Sequence, residues 1–280
     1  MTPAARATSL RDDVAAAAAR LAAAGVESAH FDAEELAAHS LGVERRDLWR
    51  HDAVGAEFLS YVERRAAREP LQHITGTAYF RHLAVAVGPG VFVPRPETEV
   101  VAEAAIAAAR TGAAPVVVDL GAGSGAIALA IAGEVAGAQV HAVEADPAAH
   151  RWAQRNCAGT GVQLRLGDMA DAFPELDGTV DVVVSNPPYI PDGAQIRDPE
   201  VAAHDPAQAL WSGADGLDAV RVVERVASRL LRRGGTVVVE HADLQGRTAP
   251  AVFARTGRWA DVADHRDLAG RDRYLTATRR

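Results

Sequence analysis

The chain has 280 residues and a net charge of −8, and all 29 of its Lys+Arg residues are arginine. Without lysine it can form no lysine Schiff base, anchor no pyridoxal phosphate, and run neither a P-loop nor a Ser-Lys nucleophile pair. Its 49% hydrophobic content suits a globular chain of one or two domains. The acidic balance, 10 Arg against 12 Asp+Glu in residues 1–85 and 19 against 25 beyond, lacks the clustered positive charge of a phosphate-backbone binder.

In chain order the pattern is first helical. Ser9 and Asp12 are spaced as a capping box opening a helix that runs to Gly25. Phe31, Leu36, Ala37 and Leu41 keep helical spacing up to Gly42, as do Phe58, Tyr61, Val62 and Ala66 up to Pro70. A β-hairpin is expected next, with strands Tyr79–Val87 and Val91–Val93 around Gly88-Pro89-Gly90. From about residue 97 helices and strands alternate. Helices are expected over Glu97–Arg110, Ala126–Glu134, Pro147–Ala158 and Leu217–Leu231. Strands are expected over Val116–Leu120, Gln139–Glu144, Val162–Leu166, Val180–Ser185, Gly235–Glu240 and Arg273–Ala277. Such alternation implies an α/β fold with a mostly parallel, doubly wound sheet. The implied division is a helical domain over 1–76, a hairpin linker over 77–96, and an α/β domain over 97–280.

The lone Cys157 excludes an intrachain disulfide and a Cys-based zinc site. A buried, inert thiol in a reducing cytoplasm is expected, and no metal site. The Ala-rich stretch Val14–Ala24 is broken by Arg20, so neither a signal peptide nor a membrane span is expected.

Asp119-Leu120-Gly121-Ala122-Gly123-Ser124-Gly125 follows a buried strand directly and opens a helix. Glycines at the carboxyl end of a parallel strand let the backbone approach a ligand. A strand-end Asp119 would repel a pyrophosphate but attract a ligand bearing ammonium and sulfonium charges. Glu144 ends the next strand and can accept from both hydroxyls of a ribose. Asp168 can accept from an adenine amino group, and Met169 can pack on its ring. One such feature in each successive βα unit favours S-adenosylmethionine over a nicotinamide dinucleotide.

The fourth strand of this domain runs into Asn186-Pro187-Pro188-Tyr189. Two prolines lock the backbone and remove two N–H donors, leaving carbonyl acceptors fixed in place. The Asn186 side-chain oxygen and the Pro187 carbonyl can hold the two hydrogens of a substrate NH2 while Tyr189 stacks on the planar group carrying it. Acceptors of this kind aim the nitrogen lone pair at a methyl carbon. The acceptor class is NH2 on a conjugated carbon: amide, adenine, cytosine or guanine.

With these residues the chain resembles the HemK/PrmC family of release factor glutamine methyltransferases along nearly its whole length. The matching pieces include Glu69-Pro70-Leu71-Gln72-His73-Ile74-Thr75-Gly76, Pro94-Arg95-Pro96-Glu97-Thr98-Glu99, the glycine loop, Asn186-Pro187-Pro188-Tyr189-Ile190, and Asp267-Leu268-Ala269-Gly270-Arg271-Asp272-Arg273. The resemblance implies a Rossmann-like class I methyltransferase domain with a seven-stranded sheet, joined by the hairpin to a small helical bundle. It further implies methyl transfer to the glutamine nitrogen of the Gly-Gly-Gln loop of class I release factors, with the helical domain gripping the factor. Gly121 to Gly125 and Glu144 would hold the cofactor, Asn186 to Tyr189 would hold the glutamine, and the Phe92–Thr98 segment would line the pocket. The family usually has Asp where Glu144 stands and often an aromatic residue where Met169 stands. A monomer without direct nucleic-acid or membrane contacts is expected. The competing readings are a nucleic-acid amino methyltransferase, which should carry a basic face or a recognition domain, and a non-catalytic scaffold, for which an intact Asn-Pro-Pro-Tyr has no use.

Overall fold

The structure, a computed structural model, describes residues 9–280, and the chain divides into two compact units. The first takes in the residues up to Gly76 together with Ile196–His204. It is built from α1 (Leu10–Ala23), α2 (Ala29–Leu41), α3 (Phe58–Ala66), the short α4 (Leu71–Thr75) and, from much later in the chain, α8 (Pro199–His204). Ser9 caps α1 through its hydroxyl, which accepts from the Asp12 N–H, while the Asp12 carboxylate takes the Ser9 N–H. Leu21, Leu36, Ala37, Phe58 and Val62 form the apolar centre. Buried beside it, Arg65 of α3 meets Asp32 at 2.7 Å and Glu200 of α8 at 2.8 Å. No composition shift in the sequence marks Ile196–His204 as part of this unit; long-range ion pairs bring it there.

The second unit contains Thr77–Gln195 and Asp205–Arg280. Its hairpin differs from the expected one. β1 (Thr77–Phe80) pairs with β2 (Leu83–Ala86) around Arg81-His82, and Val91–Val93 is irregular chain in which Val91 and Val93 are buried. Arg81 turns the chain with φ of +53°. It is held there because its backbone N–H donates to Glu99 at 2.8 Å and its guanidinium to Glu134 and Glu103. Gly88-Pro89-Gly90 serves a different purpose. A Cβ on Gly88 would lie 2.5 Å from the Trp152 ring, and the Trp152 indole N–H donates to the Pro89 carbonyl.

The main sheet has seven strands: β3 (Val116–Leu120), β4 (Gln139–Glu144), β5 (Gln163–Leu166), β6 (Val180–Ser185), β7 (Leu231–Glu240), β8 (Trp259–Arg266) and β9 (Asp272–Arg279). Their spatial order is β5-β4-β3-β6-β7-β9-β8. The first five neighbours run parallel, and β9 and β8 are added antiparallel. One face packs against β1, β2, α5 (Glu99–Ala109) and α6 (Ala126–Glu134), with α7 (Pro147–Cys157) adding Ala149 and Trp152. The other packs against α9 (Asp218–Leu230) and α10 (Thr248–Ala254). Cover on both faces explains why β3, β6 and β7 are runs of valine rather than alternating sequences. Strand β8 was not expected. It lies at the sheet edge, is mostly half-exposed, and bends at Asp261, where φ is +51°, so it lacks the apolar signal of a buried strand. α5 begins at Glu99 rather than Glu97, after a 3-10 turn over Pro96–Thr98. No helix among the described residues is long and apolar enough to cross a membrane.

Candidate active site

The chain leaves β3 for one side of the sheet through β4 and β5 and for the other through β6 and β7. Ligands of open α/β sheets bind at such a switch point, outside the carboxyl ends of the strands. Here the ends of β3, β4, β5 and β6 form one rim. Leu120 pairs with Val143, Glu144 with Leu166, and the Ser185 hydroxyl donates to the Leu120 carbonyl at 2.6 Å.

On that rim the N–H groups of Gly121 and Ala122 donate to Val143 O, and the Gly123 N–H donates to Glu144 Oε2 at 2.7 Å. Gly123 has φ of +57°, and a Cβ there would meet nothing within 4 Å, so the loop faces open space. Gly125 opens α6 with φ of +85°, and a Cβ would come within 3.1 Å of Cys157 Sγ. Ser124 is buried, its carbonyl taking the Asn156 side-chain N–H. Asp119 is buried in β3. Its Oδ2 accepts from the Ala128 N–H and its Oδ1 has no partner. Burial, with a smaller push from Glu144, raises its carboxyl to about 7. Glu144 Oε1 accepts from the Asp146 N–H at 2.8 Å, so each Glu144 oxygen has one bond and keeps lone-pair capacity for a further donor. Asp168 is exposed and caps the turn after β5 by accepting from Ala170 N–H. Met169 is half-buried against the core face that contains Val118, Leu120 and Val143. The Cys157 thiol is pushed up to about 11 by burial first and by Asp119 second, which makes it a poor nucleophile.

Beyond β6, Asn186 is half-buried and donates through Nδ2 to Thr98 Oγ1 at 3.2 Å. Pro187 is buried, and Pro188 and Tyr189 are half-buried. The loop is pinned further on, where Tyr189 O accepts from Gln245 Nε2 and Ile190 N–H donates to Leu210 O. Ser185 pairs with Val239, so Glu240 at the end of β7 comes level with Asn186. The Tyr189 hydroxyl lies 3.4 Å from Glu240 Oε1. Burial and the Glu240 charge raise the phenol well above its ordinary range. In the Phe92–Thr98 segment, Arg95 lies over the Phe92 ring and meets Asp205 at 3.0 Å.

Two groups in this cluster carried no individual role in the sequence reading, Thr98 and Glu240. For Glu240 a signal existed: like Asp119 and Glu144, it is an acid closing an apolar parallel strand. For Thr98 the one signal is its place in the Phe92–Thr98 segment that the resemblance sets along the pocket, while its partner Asn186 lies 88 residues away.

A parallel five-strand sheet with an antiparallel β9-β8 edge and a glycine loop after its first strand defines a class I methyltransferase. The ribosomal protein L11 methylase of Lactobacillus delbrueckii subsp. bulgaricus shares the fold, with a TM-score of 0.50 and 21% identity over 73% of this chain and 98% of that one. Residues 14–76 match the family model described as the PrmC N-terminal domain, and residues 85–203 the methyltransferase small domain. A release factor glutamine methyltransferase of Streptomyces coelicolor is 56% identical, the match covering 95% of this chain and 96% of that relative. A 4-amino-L-phenylalanine/4-methylamino-L-phenylalanine methyltransferase of Streptomyces pristinaespiralis is 45% identical over 93% and 91%. The chain belongs to the release factor glutamine methyltransferase (PrmC) family.

Proposed function

We propose that this protein transfers a methyl group from S-adenosylmethionine to the side-chain nitrogen of the glutamine in the Gly-Gly-Gln loop of class I release factors, acting in the cytoplasm on translation termination. The observation that carries the reading is the Asn186-Pro187-Pro188-Tyr189 segment. It is pinned by Thr98 and Gln245 and begins beside the glycine loop, where β6 ends next to β3.

The rim suits the cofactor. Asp119 Oδ1 is a buried acceptor without a partner, which matches an ammonium. Glu144 retains acceptor capacity for a ribose diol, and Asp168 and Met169 flank the place for an adenine. When bound, S-adenosylmethionine supplies an electrophilic methyl on a sulfonium whose sulfur keeps the electron pair as the carbon–sulfur bond breaks. Asn186 Oδ1 and the Pro187 carbonyl accept the two N–H groups of the glutamine amide. This removes the need for solvent to orient it and points its lone pair along the line of displacement. As the nitrogen–carbon bond forms, one amide proton is released to water. The residues up to Gly76 contribute the surface that grips the release factor.

A second acceptor is worth the same test, because a relative of 45% identity is named for an amine carried on an aromatic ring. Purified protein would be incubated with methyl-labelled S-adenosylmethionine and, separately, unmodified release factor, 4-amino-L-phenylalanine, RNA and DNA. Label is expected in the release factor, and not in one whose Gly-Gly-Gln glutamine is replaced by alanine. Label confined to the amino acid or to nucleic acid would overturn the proposal.

A further inference from the structure

We infer that the end of the methyltransferase domain remote from the candidate active site is a docking surface for the phosphate backbone of duplex RNA. The inference goes beyond methyl transfer and departs from the expectation of no direct nucleic-acid contact. It takes from the proposed function only that RNA is the polyanion the protein meets.

The charge totals conceal an asymmetry. Residues 221–280 carry 13 Arg against 7 Asp+Glu, whereas residues 1–220 carry 16 against 30. The fold gathers much of this excess in one place. Val180 pairs with Leu231, Thr236 with Thr278, and Trp259 with Arg279. The starts of β7 and β8 and the end of β9 therefore lie together, at the amino ends of the parallel strands, and α9 ends there by running into Leu231. Hydrogen bonds join the pieces. Arg279 donates to Ser228 O at 2.9 Å and to Arg258 O at 3.2 Å, Arg258 donates to Ser228 Oγ at 3.1 Å, and Arg280 donates to Trp259 O at 2.6 Å.

The arginines at this end form two sets. Arg229, Arg232 and Arg258 each meet an acid: Asp177, Asp181 and Glu224 respectively. Among the described residues no carboxylate pairs with Arg233, Arg279 or Arg280, nor with Arg255, which lies between α10 and β8. Arg279 and Arg280 bond backbone carbonyls instead, and Arg233, Arg255 and Arg280 are exposed. The exposed Asp261 of β8 opposes these four charges, and the face stays basic. A guanidinium bonded to a carbonyl keeps its whole charge and has further N–H groups to offer a phosphate oxygen.

The exposed large apolar side chains of this unit, Tyr79, Leu166, Leu244 and Leu268, all lie elsewhere: on β1, at the carboxyl end of β5, after β7, and in the β8–β9 turn. A protein interface needs an apolar centre, membrane insertion needs apolar side chains, and single strands need rings on which to stack. Exposed guanidinium groups without any of these suit a backbone whose bases are already paired, bound by charge and not by sequence. Strand β9 separates the face from the rim. Arg279 lies five residues beyond Tyr274, which pairs with Glu240, a distance of about 17 Å. RNA held here is not presented to Asn186, so the face docks RNA rather than supplying a second methyl acceptor.

The test titrates full-length protein into a fluorescently labelled RNA duplex of arbitrary sequence and follows anisotropy between about 50 and 200 mM KCl. Wild type should bind with a Kd of about 1–10 μM at the lower salt, and log affinity should fall linearly with log salt. Arg233→Gln, Arg255→Gln and Arg280→Gln combined should weaken binding about 10- to 100-fold and flatten that slope by about 2–3, with methyl transfer unchanged. Arg20→Gln, Arg46→Gln and Arg50→Gln combined remove the same charge from exposed positions of the helical unit and should leave RNA binding as in wild type. An equal loss in both triple variants, or no loss in the first, refutes the docking face. Tighter binding of single-stranded RNA, duplex DNA, phosphatidylserine vesicles or a polyglutamate peptide refutes duplex RNA as its occupant. Methyl label appearing in the duplex would overturn the docking role, because the RNA would then be the acceptor. A wild-type protein that binds the duplex but is inactive on release factors refutes only the proposed substrate.

Discussion

Asparagine at position 119 separates what the buried carboxylate costs the fold from what it offers a ligand. Asp119 is 1% exposed, and burial raises its carboxyl from 3.8 to about 7. Holding it ionised in the folded state therefore costs on the order of 4 kcal/mol at pH 8. Asp119→Asn removes that charge and keeps an oxygen for the Ala128 N–H, 3.2 Å away in the wild type. The new NH2 lies where Oδ1 has no partner, which returns roughly 1–3 kcal/mol. The net expectation at pH 8 is a gain of about 1–3 kcal/mol, or several degrees in melting temperature. The sign depends on pH. Between about pH 4 and 7 the folded protein holds a proton that the unfolded chain has released, so this group's contribution declines as pH rises through that window. At pH 4 both states of the wild type hold much of that proton, so the variant should show no gain there and a small loss. Glu240, raised in the same direction, is present in both proteins and cancels in the comparison. Urea melts at pH 4 and pH 8 measure the effect, and a difference between the two proteins that is the same at both pH values would refute the reasoning. On the proposed reading the same substitution weakens S-adenosylhomocysteine, which retains the ammonium, by about 2 kcal/mol or more in calorimetric titration. An unchanged affinity would mean that this carboxylate does not meet the ligand.

Asn186→Ala should reduce methyl transfer by about 100-fold or more, with cofactor affinity nearly unchanged by calorimetry; a near-normal rate would reject the acceptor site. Glu144→Ala should chiefly weaken cofactor binding, because it removes the diol acceptor and also frees the Gly123 and Asp146 N–H groups it now holds. Glu144→Gln keeps one acceptor oxygen and should bind between alanine and wild type in the same titration. Arg65→Ala leaves Asp32 and Glu200 without their shared cation and should destabilise the protein by about 3–5 kcal/mol, seen as a lower denaturation midpoint.

The parts of the fold that could be read from sequence share a physical cause. β3, β4 and β6 are covered on both faces, so each is dominated by small apolar residues with few polar interruptions, and the expected limits of all three match the observed strands. Parallel strands also end on one side of the sheet. Strand-end residues that are far apart in the chain, such as Asp119, Glu144 and Asn186, are thereby gathered along one edge without any knowledge of side-chain contacts. What could not be read depends on individual polar partners at long range. The hairpin turns at Arg81, a residue with no turn propensity of its own, because Glu99, Glu103 and Glu134 are placed to receive it. Ile196–His204 joins the helical unit through Glu200, whose partners Arg65 and Arg68 lie more than a hundred residues earlier. The rule for strand ends nevertheless reaches further than the three sites to which it was applied. β7 is also an apolar parallel strand closed by an acid, and its pairing with β6 carries Glu240 level with Asn186. In a doubly wound sheet a buried acid in that position has no solvent to neutralise it and only the rim groups to bond, so it becomes part of whatever those groups do.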